Sequence, residues 1–79
     1  MKLAIVIVSY NGKRWLKATL MSCTQFAKKV PVYVVDNAST DGSADYIAQE
    51  FSDAHLIREI KNTGFAGGNN IGIQAALAA

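Results

Sequence analysis

The chain alternates between short unbroken apolar runs and longer stretches in which apolar residues recur every three or four positions. Leu3-Ala4-Ile5-Val6-Ile7-Val8 has no polar alternation, the pattern of a strand covered on both faces. Val30, Val32, Tyr33, Val34 and Val35 make a second such run, with Pro31 at its entry, where a missing donor is tolerated. His55 to Ile60 is a third and more polar run, suited to a sheet edge. Between these lie helical patterns. From Lys13 to Ala27, Leu16, Leu20 and Cys23 recur at i, i+4 and i+7, flanked by Trp15 and Phe26, with lysines opposite. From Ser43 to Phe51, Ile47 and Phe51 share a face with Tyr46 alongside, and a third helix is expected to open near Gly67 or Gly68 and to carry Ile71, Ala75 and Leu77.

The element order is therefore βαβαβα. Strands joined by helices run parallel with right-handed crossovers, and short connections favour neighbours. The expected fold is α/β: a three-layer half of a doubly wound, Rossmann-like parallel sheet with strand order 3-2-1. The purest apolar run would then stand at a sheet edge, and Ala75 to Ala79 runs on as helix with no glycine cap. These features predict a single N-terminal subdomain over residues 1–79, cut from a longer protein. They also predict a homodimer formed through the open sheet edge.

Composition narrows the class. With 79 residues, 51% of them hydrophobic and 18% charged, the chain can build one small core. The net charge of +2 comes with lysines that are not interleaved with aromatics, which reads as a solvated helix face and not as a nucleic-acid surface. Cys23 is the only cysteine, so no disulfide within the chain and no thiolate metal site can form; a reducing cytoplasm fits. The apolar start is too short for a signal peptide, and no run approaches the ~20 residues of a membrane span.

The candidate chemistry lies where the strands end. In open parallel sheets, ligands sit beyond the carboxyl ends of the strands, near the point where strand order reverses. Ser9-Tyr10-Asn11-Gly12, Asp36-Asn37-Ala38-Ser39-Thr40-Asp41 and Asn62 to Asn70 all open on that rim. Asp36 follows four apolar residues and should be only partly exposed. It can accept from a base imide or ribose hydroxyls, or it can brace the loop; the residues alone leave both open. Asp41, ahead of Gly42-Ser43, suits a helix-capping role, and its spacing to Asp45 is ordinary for a helix start. Gly64, Gly67, Gly68 and Gly72 allow close backbone approach to a ligand, or close packing of helix on sheet.

Three segments together are specific. "VSYNG" at 8–12, "VVDNASTDGS" at 34–43 and "NTGFAGGNNIGIQAALA" at 62–78 resemble family 2 glycosyltransferases, with the rhamnosyltransferase-like branch nearest. The resemblance spans essentially the whole chain. It implies a GT-A-type fold and transfer of a hexose or deoxyhexose from a nucleoside diphosphate sugar, UDP- or dTDP-linked, to a polysaccharide or glycolipid acceptor. It also implies that Ser9, Tyr10 and Asn11 line the nucleobase pocket and that Asp36 binds the base or ribose. Asn37 and Ser39 would shape that loop, and Gly67, Gly68 and Asn70 would frame the nucleotide. Asn69 stands where many members carry arginine. The divalent metal of the family, magnesium or manganese, is expected in the parent through an aspartate pair beyond Ala79. The fragment itself is expected to hold no metal and no catalytic residue, and so to be inactive alone. The parent would be cytoplasmic or peripheral at the membrane. The alternative is a stand-alone nucleotide-binding or interaction module without transferase activity. A receiver-type signalling domain would need an acidic pair after strand 1 and a phosphoacceptor aspartate after strand 3, and Ser9-Tyr10 and Lys61-Asn62 provide neither.

Overall fold

The structure, a computed structural model, describes residues 3–26 and 30–78. Six elements follow in the expected order: β1 (Ile5–Ser9), α1 (Lys13–Phe26), β2 (Val32–Asn37), α2 (Ser43–Glu50), β3 (His55–Glu59) and α3 (Gly64–Ala78). The strands form one parallel sheet in the order β1-β2-β3, which is the 3-2-1 order read from the other side. Ile5 stands opposite Val32, Ser9 opposite Asp36, and Asp36 opposite Arg58.

Strand β2 is central, and every one of its residues is buried. That is what its unbroken β-branched run requires, because alternating side chains enter two different cores. On one face Val32 and Val34 join Leu16 and Leu20 of α1 and Ile47 of α2, with Ile5, Ile7 and Leu56 packed at the margin. On the other face Val6, Val8 and Val35 lie under α3. The result is three layers, with α1 and α2 on one side of the sheet and α3 on the other. Helix α3 crosses back over β2 to rest on β1 as well.

The close seating of α3 explains two of its glycines. A Cβ built on Gly68 would lie 2.6 Å from Val8 Cγ1, and one on Gly72 would collide with Val6 Cγ1 and approach Val35 Cγ2 to 3.1 Å. Four residues apart, these glycines form a groove on one helix face into which the valines of β1 and β2 fit.

Several boundaries differ from the sequence pattern. Helix α3 starts at Gly64, a turn before the expected opening near Gly67 or Gly68. Glycine is a poor helix former, so the pattern puts the glycine-rich stretch in a loop, but capping of the helix start and packing on the sheet outweigh that propensity. Leu3 and Ala4 lie outside β1 and are exposed, Val30 precedes β2, and Ile60 lies past β3, fully exposed. Phe51 ends α2 by donating its N–H to the Ile47 carbonyl (2.9 Å). Strand β2 instead runs on through Asp36 and Asn37, taking both polar residues into the sheet. Ala27, the expected end of α1, lies outside the described residues.

Gly72→Ala tests the seating of α3. Valine side chains cannot swing clear of the added methyl, so overpacking outweighs the gain in helix propensity. The expected cost is about 1–2 kcal/mol in urea unfolding, whereas Ala at half-buried Gly67, where the contact is to a single threonine side chain, should cost less.

Candidate functional site

Asp36 and Ser9 are neighbours across the β1–β2 ladder, and alternation from Val34 and Ile7 puts both side chains on the α1 face. Both are buried, Asp36 to 2% exposure and Ser9 to 6%. Asp36 is thus more deeply enclosed than its position at a strand end suggested, because β2 is covered to its last residue. Its Oδ2 accepts from the Ser39 N–H (3.1 Å). Among the described residues, its Oδ1 has no hydrogen-bond partner, and neither has Ser9 Oγ. Arg58, in register with Asp36 on the other side, turns its guanidinium to Asp45 of α2 (2.9 Å).

The loops around this pair are fastened to one another by side chains. The Asn11 N–H donates to Ser39 Oγ (2.8 Å), and Asn11 Oδ1 accepts from the Thr40 N–H (2.7 Å). The exchange staples the β1–α1 loop to the β2–α2 loop. It requires left-handed backbone at Asn11 (φ 50°) and Ala38 (φ 64°). Asparagine tolerates that region, while alanine there is strained; the turn at Ala38 brings the Ser39 N–H back to Asp36.

Asp41 makes a second clamp. One carboxylate accepts the N–H of Lys13, the first residue of α1 (3.2 Å), and both the N–H (2.9 Å) and hydroxyl of Ser43, the first residue of α2. It therefore caps two helix starts at once, complementing both dipoles. The hydrogen bond from the Ser43 side chain holds the Asp41 carboxyl below its ordinary range; desolvation opposes this, and the backbone N–H groups of Lys13, Ser43 and Asp41 itself reinforce it.

On the opposite face of β2, Asn37 ties in the third loop. Its Nδ2 donates to the Gly64 carbonyl (2.9 Å), and its Oδ1 accepts from the Thr63 N–H (3.0 Å). Asn62 Oδ1 accepts from the Gly64 N–H (2.8 Å), completing the turn into α3.

The structure thus links Asn11, Ser39 and Asp36 by hydrogen bonds, with Ser9 opposite Asp36 on the neighbouring strand, Asn37 tied to the third loop on the other face, and Tyr10 half-exposed. Gly67 and Gly68 belong to the first turns of α3: Gly68 is buried behind Asn37 and Val8, and a Cβ on Gly67 would meet the Thr63 side chain at 2.8 Å. Asn70 lies further along α3 and is exposed, away from the linked loops. Gly12, whose Cβ would stand 2.8 Å from Ser9 Oγ, and Thr63, whose N–H donates to Asn37, lie in the rim loops read from the sequence without being singled out there as site residues. An Asn-Gly pair after a strand is a readable turn signal for the first; nothing local marks the second. A cleft of about 230 Å³ runs along the open side of β1, from Ile7 to Tyr10, with Trp15, Leu16 and Thr19 of α1 as its far wall.

These loops, at these positions, are those of a known family, whose description is Glycosyl transferase family 2 and whose model matches residues 4–78. The chain belongs to glycosyl transferase family 2. No curated protein matches it. No helix among the described residues of this family 2 chain is long and apolar enough to cross a membrane. Nor do three His, Cys, Asp or Glu side chains converge among them, and Asp41 is committed to two helix starts. The described residues therefore do not form a cage for the divalent metal the family implies.

Asp41 gives a pH signature. A carboxyl lowered by folding contributes stability that is present above its unfolded value, near 4, and is lost as pH falls through the lower folded value. Urea unfolding of the wild-type chain and Asp41→Asn should show the wild type more stable at pH 6, with the gap closing as pH falls below about 4.

Proposed function

We propose that this chain binds the nucleoside diphosphate part of a sugar donor over the carboxyl ends of β1 and β2. The observation that carries the reading is the unpartnered Asp36 Oδ1 beside the unpartnered Ser9 Oγ, both buried at the rim. A buried acceptor without a donor costs about 1–3 kcal/mol, and a ligand N–H or O–H that reaches it recovers that energy. Uracil and thymine present an imide N–H, and ribose presents hydroxyls, so a UDP- or dTDP-linked donor matches. Tyr10 supplies an exposed ring at the same rim. Asn11, Asn37 and Ser39 hold the loops in place, and Gly67 and Gly68 seat the start of α3 close to them.

The family transfers sugars, and the loop sequences favour a rhamnosyltransferase-like member that moves a hexose or deoxyhexose to a polysaccharide or glycolipid acceptor. Donor chemistry of this kind is cytoplasmic. Magnesium or manganese would screen the diphosphate charge of a bound donor.

Chemical-shift mapping with UDP and dTDP tests the site. The amides of Tyr10, Asn11 and Asp36 should move, with a Kd of roughly millimolar for contacts of this number. Asp36→Asn, which keeps the shape but replaces one acceptor with a donor, should weaken binding about tenfold. Perturbations confined to other surfaces would refute the assignment.

The open edge of β1 supports a homodimer within the same reading. This strand has a partner on one side only and carries no charge, proline or bulge that would discourage a second one. Exposed Trp15 lies beside it across the cleft. Antiparallel pairing of two β1 strands across a two-fold axis would satisfy both edges. Sedimentation equilibrium at tens of micromolar should give twice the 8.5 kDa chain mass; a clean monomer would sink the idea.

A further inference from the structure

We infer that Trp15 is the wall against which the base of the donor stacks, inside the cleft between β1 and α1, and that Gly12 keeps the Ser9 hydroxyl open to that base. This rests on the donor-site reading above and adds two residues to it. The cleft has Ser9 and Tyr10 on its strand side and Trp15, Leu16 and Thr19 on its helix side, with Gly12 between them.

The two walls follow from the pattern of each element. Ser9 lies two residues beyond Ile7, which packs against the core on the α1 face, so its side chain points the same way. Leu16 and Leu20 fix α1 on that core, and Trp15 and Thr19, four positions apart, form the adjacent stripe. That stripe passes the open edge of β1, where Trp15 is left 67% exposed. Arg14 holds its guanidinium 5.3 Å from the centre of the Trp15 ring and takes no part in the cleft. The cation covers one face of the indole from outside, which leaves the other face for a flat ligand. Tyr10 and Trp15 both line the cleft, and their rings are not in contact.

The polar point of the cleft is Ser9. Its Oγ is buried and unpartnered, whereas Thr19 spends its hydroxyl on the Trp15 carbonyl (3.1 Å). A Cβ on Gly12 would stand 2.8 Å from Ser9 Oγ, so the missing side chain leaves room beside the hydroxyl for a ligand atom. Gly12 carries no positive φ, so the backbone itself does not demand glycine there. A hydroxyl both donates and accepts, and it can meet the imide N–H or a carbonyl on a pyrimidine edge. At about 230 Å³ the cleft is smaller than the ~300–1,000 Å³ of pockets that enclose drug-sized ligands, so it takes the base and leaves ribose and diphosphate outside. Asp36 is in register with Ser9 but does not line the cleft, and edge recognition inside it falls to Ser9.

Trp15 is the single tryptophan, so its fluorescence reports the contact without any substitution. Paired β1 strands would cover the same cleft, so the full chain is titrated at a concentration where sedimentation shows monomer. UDP should quench the emission to saturation, and ribose 5-phosphate, which lacks a base, should leave it unchanged. Followed by the amide shifts of Tyr10 and Asp36, Trp15→Leu should bind UDP about tenfold more weakly, the scale of one base–aromatic stack, while Trp15→Phe stays near wild type. Gly12→Ala should keep the amide spectrum of the folded chain and also weaken UDP. UDP binding with unchanged emission, or wild-type affinity in Trp15→Leu, would overturn the inference and leave the donor site standing. Equal quenching by ribose 5-phosphate would overturn it as well, since no base would then be needed. Wild-type affinity in Gly12→Ala would overturn the role given to Gly12. Failure of the wild-type chain to bind UDP or dTDP at all would overturn the donor-site reading and this inference with it.

Discussion

The structure turns on the burial of β2 to its very end. A central parallel strand covered by helices on both faces has no water with which to solvate polar side chains, yet this one closes with Asp36 and Asn37. Alternation sends the two to opposite faces, so each must find its partners in a different layer. Asn37 is satisfied at both ends of its amide by the turn into α3, which fixes that helix over β1 and β2. Asp36 is satisfied at one oxygen only. The fold is thus completed on one face and left with an unmet, buried acceptor at the carboxyl end of β2 on the other.

The loops that surround Asp36 are held by hydrogen bonds more than by apolar contact. Asn11, Ser39, Thr40 and Asp41 exchange bonds across positions nearly thirty residues apart in sequence, and the left-handed residues Asn11 and Ala38 are tolerated because those bonds over-determine them. Such a rim is organised before any ligand arrives, which limits the ordering cost of binding. The glycines of α3 serve the same end from behind. They let the helix sit close on Val6 and Val8, with Gly68 beside Asn37 at the carboxyl end of the sheet.

Much of this was legible in the chain itself. Unbroken β-branched runs of five or six residues can only be buried strands, and their alternation with apolar stripes at helical spacing leaves the parallel order 3-2-1 as the simplest topology. The three loops that carry the resemblance to family 2 glycosyltransferases are contiguous segments, so they too can be read without coordinates. Local chemistry sufficed wherever the decisive interactions lie within one segment, as with Asp41 ahead of Gly42 and Ser43.

The tertiary structure decided what depends on contacts between segments. The sequence could not show that Asp36 braces its loop through one oxygen and leaves the other without a donor, because that depends on how the fold places the groups around it. Nor could it place the start of α3, since glycine's poor propensity points one way and the Asn37 tether and the valine groove point the other. Ala38 carries no mark of its positive φ, which is imposed by Asp36 two residues before it together with Asn11 from another loop. Sequence alone determined the layers and the rim, because periodicity is a local property; the pairing of buried polar atoms across the rim is not, and only the folded chain settles it.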